Sequence, residues 1–255
     1  MQHKRYAKPP IVEAVIDLQT RTNHQPSLDR LTKFRESVVE RFPIASPLAS
    51  MTFVLPVPGQ ALGQAPVVPT DFANQQVGFR LATSDNSRVL QVQHLGFSFS
   101  HLSLYTCWED FAGEALDLWN RYVEICEPES VVRVATRFIN KIRIPEERFE
   151  LEDYFKLYPT FPREVNDVIT GVFMQLRQPL LTVPRALATL NFSDTVENAG
   201  TPAAHSAFVL DFDLATEGAW GPSDGETWSV LEEFRRVKNT YFESAITDKC
   251  RSLFQ

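Results

Sequence analysis

Residues 131–144 read VVRVATRFINKIRI. Apolar and polar side chains alternate along this stretch, and a period of two predicts a β-strand with one buried face. The face predicted to be buried carries Val132, Val134, Thr136, Phe138, Asn140, Ile142 and Ile144. The opposite face carries Arg133, Arg137, Lys141 and Arg143. We therefore expect a central strand in a sheet with one apolar and one charged face.

Four cations on one strand face repel one another unless carboxylates lie beside them. The carboxylates on other predicted strands are those of Glu13, Asp17, Asp211 and Asp213. Strand 11–19 follows two prolines and shows a period of two, and its polar face carries Glu13 and Asp17. We expect strand 11–19 to lie close to strand 131–144, with at least one carboxylate within ion-pair distance of a cation.

Three interpretations of this charged face remain open. The first is a ladder of ion pairs on the solvent side of the sheet. The second is an anion-binding surface on which Arg133, Arg137 and Lys141 bind a phosphate, a nucleotide or an acidic peptide. The third is catalysis by Glu13 and Asp17 as an acid and base pair. No nucleophile or metal site accompanies that pair, so we assign no catalytic residue.

Asn140 is the exception on the apolar face of this strand. A buried amide costs about 1 to 3 kcal/mol unless its hydrogen bonds are made. We expect its side chain to bond a neighbouring backbone group, and we include it among the candidate binding residues.

Helical spacing of apolar residues predicts three helices around these strands. The first begins at the N-cap Ser27 and runs to Phe42. The second follows Tyr105, and its stripe predicts that Trp108 and Trp119 are buried. The third covers 227–247, with Trp228, Leu231, Phe234, Tyr241 and Ala245 near one face, and we expect Trp228 and Phe234 to be mostly buried. Further predicted elements are strands 51–55, 77–83, 88–102 with a bulge at Gly96, 172–178, 185–193 and 208–215, and a short helix 151–155.

The order of these elements predicts an α+β fold. We expect a curved, largely antiparallel sheet with two long helices on one face, because this buries both apolar stripes. Each half of the chain reads as strand, helix, three strands and helix. The chain is therefore interpreted as a single domain, 1–255, or as two pseudo-repeats, 1–128 and 129–255. The order of elements resembles TATA-binding-protein-like or helix-grip topology, and a topology alone implies no activity.

Composition narrows the classes of function. The chain has 255 residues and a formal net charge of −7, which disfavours nucleic acid and anionic membranes as partners. Three cysteines without C-x-x-C spacing argue against a disulfide framework and a zinc knuckle, so we expect a cytoplasmic protein without a metal. Neither a signal peptide nor a membrane-spanning run is predicted. Phosphate-loop, dinucleotide-binding, nucleophile-elbow and zincin motifs are missing, so no cofactor is expected.

The prolines and glycines of segment 56–69 predict a loop, whereas most of its remaining residues are apolar. Loops normally face water, so an apolar loop indicates contact with a partner or with the protein's own sheet edge. We expect a docking arm or a cover for that edge, and both interpretations remain open.

Several short motifs together resemble a sporadically distributed family of uncharacterised bacterial proteins. The motifs are Pro9-Pro10-Ile11-Val12-Glu13-Ala14, Gly78-Phe79-Arg80, the Tyr105–Trp108 start of a helix, Arg133 with Arg137-Phe138-Ile139-Asn140, and Lys238-Asn239-Thr240-Tyr241-Phe242-Glu243 with Ile246-Thr247. They cover nearly the whole chain in order. The resemblance implies no assigned reaction. Patchy distribution implies a context of mobile elements, toxin and antitoxin pairs or phage defence.

Two functions from different classes follow from the sequence. The first is a non-enzymatic binding protein that contacts a protein partner or forms a homo-oligomer through the charged face or the proline-rich loop. The alternative is an enzyme or sensor that binds a nucleotide or another anionic small molecule on the basic strand face. A concave site of several hundred Å³ with convergent polar groups would distinguish the second from the first.

Overall fold

The computed structural model describes residues 6–23, 27–49, 76–102, 105–159, 171–197 and 205–255. The strands are β1 Ile11–Arg21, β2 Ile44–Ala49, β3 Gln76–Ala82, β4 Arg88–Gln93, β5 Gly96–Leu102, β6 Ser130–Arg143, β7 Phe173–Pro179, β8 Leu187–Glu197 and β9 His205–Trp220. The helices are α1 Leu28–Ser37, α2 Trp108–Cys126, α3 Leu151–Tyr154, α4 Gly225–Ala245 and α5 Asp248–Ser252. The predicted strand 51–55 and the proline-rich segment 56–69 lie outside the described residues.

The nine described strands form one sheet in the order β2-β3-β4-β5-β1-β6-β9-β8-β7. Every neighbouring pair is antiparallel. The central pair joins β1 to β6, with Val15 opposite Arg137. The predicted α+β class, with an antiparallel sheet in which strand 11–19 lies beside strand 131–144, is confirmed.

The start of β1 is fixed by its prolines. Pro9 and Pro10 lack a backbone N–H, so they stand at the end of the strand. The carbonyl oxygen of Pro10 still accepts a hydrogen bond of 2.8 Å from the backbone N–H of Lys141. This bond extends the contact between the chain before β1 and the far end of β6.

Helix α1 begins as predicted and ends earlier than predicted. The Ser27 hydroxyl accepts a hydrogen bond from the backbone N–H of Asp29 at 3.2 Å, as an N-cap does. The helix ends at Ser37, and a turn carries the chain to Pro43. Phe42 is still buried, because the turn keeps the apolar spacing directed at the core.

The two long helices pack on the same face of the sheet. Helix α2 buries Trp108 and Trp119, and α4 buries Leu231 and Phe234. The predicted burial of Trp108, Trp119 and Phe234 is confirmed, and Trp228, the fourth residue of that prediction, is partly buried. Strand β6 meets α4 through the inner face that carries Phe138, and the ion pairs lie on the opposite, outer face.

Two hydrophobic clusters lie under this face. One joins α1, α2 and β1 to the first part of β6, and the other joins α3, α4 and β9 to its last part. Phe138 belongs to the first cluster and Ile142 to the second. Strand β6 therefore lies across the junction of the two clusters, where a polar patch occurs.

Two strand predictions are wrong. Residues 88–102 form two strands, β4 and β5, joined by a two-residue turn at His94 and Leu95, not one strand with a bulge at Gly96. These residue types do not signal a tight hairpin, which is why the sequence conceals it. In β6, a bulge between Val131 and Arg133 shifts the alternation, so Val131 is buried and Val132 is not in the core.

Candidate functional site

The charged outer face of the central strands is a set of close ion pairs. Arg133 donates to Asp17 at 2.7 Å, so the predicted pair between β6 and β1 is present. Arg137 donates to both carboxylate oxygens of Asp211, at 2.8 and 2.7 Å. The side chain of Asp211 is only 6% exposed, and Asn191 also donates to it at 3.0 Å.

The remaining charges on this face add no excess of cations. Glu13 lies opposite Ile139 in the sheet register, and Asp213 lies opposite Arg137. Burial raises the pKa of Asp17 and of Asp213, and the neighbouring arginines oppose that rise. Lys141 projects to the same face and has partners of its own. The ladder interpretation therefore accounts for the contacts of this face better than an anion-binding surface does.

Asn140 is separated from the other five predicted site residues. It lies on the inner face and is 2% exposed. Its amide donates to the backbone oxygens of Leu210 at 3.0 Å and of Phe138 at 3.4 Å, which confirms the predicted backbone bonds. Because both N–H groups are used, the carbonyl oxygen is the atom that Asn140 can present to a ligand.

A cavity of about 310 Å³ opens beside Asn140. Its walls come from the chain before β1, the start of α2 and the middle of α4, at the junction of the two hydrophobic clusters. The titratable residues in its walls are Tyr6, Tyr105, Cys107, Glu109, Arg235, Arg236, Lys238 and Glu243. Concave sites of this size with converging polar groups are where proteins bind small molecules.

Lys238 is the most unusual residue in this wall. It occupies the core-facing side of α4, between Phe234 and Phe242, and is 6% exposed. Its ammonium nitrogen lies 4.2 Å from the centre of the Phe138 ring. Burial lowers the pKa of Lys238 to about 7, and the nearby Arg235 acts in the same direction while Glu243 opposes it.

The other charged groups of the wall have counterions. Arg235 bonds Glu109 at 2.9 Å and Glu232 at 2.7 Å. Glu243 accepts from Tyr6 at 2.6 Å and from Arg251 at 2.8 Å. Within the described part of the chain, by contrast, no carboxylate lies within ion-pair distance of Lys238.

Aromatic side chains complete the wall. Tyr105 and Trp108 stand at the start of α2, and each ring contacts Phe138, with ring centres 6.0 and 6.3 Å apart. Burial raises the pKa of Tyr105, so its phenol keeps its proton at neutral pH and remains a hydrogen-bond donor. The site therefore combines aromatic and proline surface with an amine, a phenol and an amide oxygen.

Parts of several motifs quoted from the sequence meet at this cavity. Its walls include Pro9–Ile11, Tyr105–Trp108, Asn140 and parts of the 238–243 segment. These segments are far apart in sequence and share no strand or helix. The motif Gly78-Phe79-Arg80 is not among the wall residues.

Asn140 is among the site residues predicted from the sequence, and Lys238 is not. The signal was present, because the predicted stripe of the last helix steps from Phe234 to Tyr241 and leaves the intermediate position empty. Position 238 fills that gap at helical spacing. A lysine in the buried stripe of an amphipathic helix is itself an indication of a site.

No protein-family model matches the chain, and no curated protein matches it. Among the described residues, no group of three or more His, Cys, Asp and Glu side chains is arranged to bind a metal ion. None of the helices in that part of the chain is long and apolar enough to cross a membrane.

Proposed function

We propose that this chain binds a small anionic molecule in the cavity beside Asn140, with Lys238 supplying the positive charge. The observation that supports this most is a buried lysine at the cavity wall without a carboxylate at ion-pair distance in the described residues. A buried charge that lacks a counterion is costly, and proteins keep such groups mainly at functional sites. An anionic ligand would provide the missing counterion.

The location differs from the basic strand face that the sequence suggested. There, the contacts of Arg133 and Arg137 with carboxylates leave little positive charge for a ligand. In the cavity, Arg235 and Glu243 are held by their own partners, and no carboxylate of the described residues lies at ion-pair distance from Lys238. The volume of about 310 Å³ suits a small molecule and is too small for a folded partner.

Binding is expected to depend on pH. An anion favours the protonated amine, and the pKa of Lys238 is about 7 in the free protein. Affinity should therefore be nearly constant below pH 7 and fall by about tenfold for each pH unit above it. Above pH 7, the Lys238 amine would take up a proton from solvent as the ligand binds.

The test is calorimetric titration of the intact chain with acetate, benzoate, inorganic phosphate and adenosine monophosphate at pH 6.0 and 8.5. We expect at least one to bind at pH 6.0 and to lose more than tenfold in affinity at pH 8.5. Lys238→Met should abolish that binding, and Lys33→Met, on the exposed side of α1, should leave it unchanged. Equal affinity in wild type and Lys238→Met, or no binding by any of the four anions, would overturn the proposal.

The interpretation as a protein-binding partner remains a prediction. One of its two surfaces is the ion-paired sheet face, and the other is the segment 56–69, outside the described residues. Deleting residues 59–64 should weaken association, measured by light scattering or pull-down, while the chain stays folded. Unfolding of the deletion variant would assign that loop to the core. A context in mobile elements, toxin and antitoxin pairs or phage defence also stays a prediction of the resemblance.

We also propose that the sheet arose by duplication, in the manner of TATA-binding-protein-like folds. Strands β1 and β6 are paired at its centre, and each is followed by a helix. After that helix, the chain enters a strand at one edge of the sheet, and the following strands are placed successively closer to the centre. These strands are β2 to β5 in the first half and β7 to β9 in the second. The halves differ by one described strand, so an added β2 is part of this proposal.

A further inference from the structure

The cavity places a lysine amine where its chemistry changes. Lys238 is 6% exposed, stands over the Phe138 ring and faces a cavity that admits a small molecule. A surface lysine is almost fully protonated at neutral pH and reacts only slowly with carbonyl groups, whereas a desolvated lysine near a second cation becomes nucleophilic. Arg235 is that second cation: it precedes Lys238 by about one helical turn on α4 and lies in the same wall.

We propose that Lys238 condenses with the carbonyl group of a small 2-oxo acid held in this cavity, forming an imine. This inference rests on the proposed binding of an anion at the same site and names the class of that anion. It also adds a covalent step that anion binding alone does not require.

The step balances without any oxidant or reductant. The nitrogen lone pair of the neutral Lys238 amine attacks the carbonyl carbon, and one amine proton moves to the carbonyl oxygen to give a carbinolamine. The hydroxyl then leaves as water with a proton from a donor that solvent replenishes, while the nitrogen keeps its remaining proton. The C–O bond breaks, a protonated C=N bond forms, and one proton is taken up for each water molecule released. The Tyr105 phenol lines the same cavity in protonated form and is a suitable donor to the departing oxygen.

Charge selects an oxo acid over a neutral aldehyde. The protonated imine keeps the positive charge of Lys238, and the carboxylate next to it supplies the counterion within the same adduct. The buried site would then hold a pair with no net charge, which a neutral carbonyl compound cannot provide. The amide oxygen of Asn140 is available to accept from a hydroxyl or amine on the ligand.

The test is reductive trapping with pyruvate and sodium cyanoborohydride on the intact chain, followed by peptide mapping. We expect one reduced adduct per chain, at Lys238, formed at least tenfold faster at pH 7 than at Lys33 in the same digest. The trapping rate at Lys238 should rise with pH and level off above pH 7, because the neutral amine reacts. Lys238→Arg, which keeps the charge and cannot condense, should give no adduct above the Lys33 background.

The outcomes separate the two proposals. If pyruvate binds by calorimetry at pH 6.0 and Lys238 traps no faster than Lys33, the imine is wrong and the anion site stands. If pyruvate neither binds nor traps, the imine is wrong, and the panel of other anions decides the proposed function. Should Lys238→Arg fail to fold, as judged by circular dichroism, Lys238→Met takes its place, and an adduct of equal yield in it would also overturn the imine.

Discussion

Replacing Lys238 with methionine is expected to raise the free energy of unfolding, although it removes a residue of the proposed site. The two side chains have similar length and shape, so the substitution removes the charge and leaves the packing nearly unchanged. Lys238 is buried on the inner side of α4, where an apolar side chain is the usual occupant. The lysine therefore imposes a cost on the folded state that methionine does not.

The magnitude follows from the pKa of the amine. Burial lowers the pKa of Lys238 from 10.5 to about 7. At 1.36 kcal/mol for each pH unit, the folded state disfavours the charged amine by about 5 kcal/mol. The contact with the Phe138 ring returns about 1 to 2 kcal/mol, and methionine loses that contact. We expect a net gain of about 3 kcal/mol at pH 7 for Lys238→Met.

The sign of the pH dependence is fixed by which state binds the proton. Between pH 7 and pH 10.5 the unfolded chain holds a proton on Lys238 that the folded chain has lost. Wild-type stability therefore rises with pH across this window relative to Lys238→Met. The advantage of the variant should be complete below pH 7 and should shrink by about 1.4 kcal/mol for each pH unit above it.

Urea denaturation at pH 6, 7, 8.5 and 10 measures these differences, with Lys33→Met as the control for loss of a lysine on an exposed helix face. The control should change stability by less than about 0.5 kcal/mol at every pH. A loss of stability in Lys238→Met, or a difference that stays constant with pH, would refute the reasoning, because it would mean that the amine is charged and compensated in the folded protein.

Four further substitutions test the packing of the fold. Arg137→Leu should lower the free energy of unfolding by about 1 to 3 kcal/mol, measured by urea denaturation, because it leaves the buried Asp211 carboxylate without its bidentate partner. A decrease of less than about 0.5 kcal/mol would mean that the pair is only a surface contact. Trp119→Ala should lower the free energy of unfolding by about 3 to 5 kcal/mol, because Trp119 is only 1% exposed. A decrease of less than about 1 kcal/mol would contradict the core position of this side chain. Gly78→Ala should lower the melting temperature, because the added Cβ would lie 2.0 Å from a backbone oxygen of β4. Gly113→Ala has open space around it on α2 and should raise the melting temperature, by a shift that corresponds to about 0.5 to 1 kcal/mol in the free energy of unfolding. Equal shifts in the two variants would contradict this.

The central part of the fold could be predicted because its signals are local. The period-two pattern and the prolines before Ile11 indicate where β1 lies. The carboxylate of Asp17 predicts that β1 pairs with β6, because the cations of β6 need a negative charge beside them. The hairpin at His94 and Leu95 could not be predicted, because its geometry comes from pairing of β4 with β5 and not from turn-forming residues. The bulge near Val132 is likewise a property of the pairing with β1 and β9.

The candidate site was predictable only in part. Asn140 is conspicuous in one strand, so local pattern reveals it. The cavity, however, is assembled from segments that precede β1, begin α2 and cross α4, and no local pattern states that they meet. Lys238 could have been recognised as the missing member of a helical stripe, but its lack of a carboxylate in the described structure is a fact of three-dimensional packing.

The pairing of β1 with β6 has a consequence for how the chain is synthesised. The paired residues are about 110 to 130 positions apart, so β1 leaves the ribosome long before its central partner exists. Strand β5 can pair with one edge of β1 early in synthesis. The backbone groups of the other edge stay unpaired until β6 has been made. An open edge of this kind recruits other chains. The nascent first half should therefore be most prone to aggregate in the interval before residue 143 emerges, and slow translation of α2 would lengthen that interval.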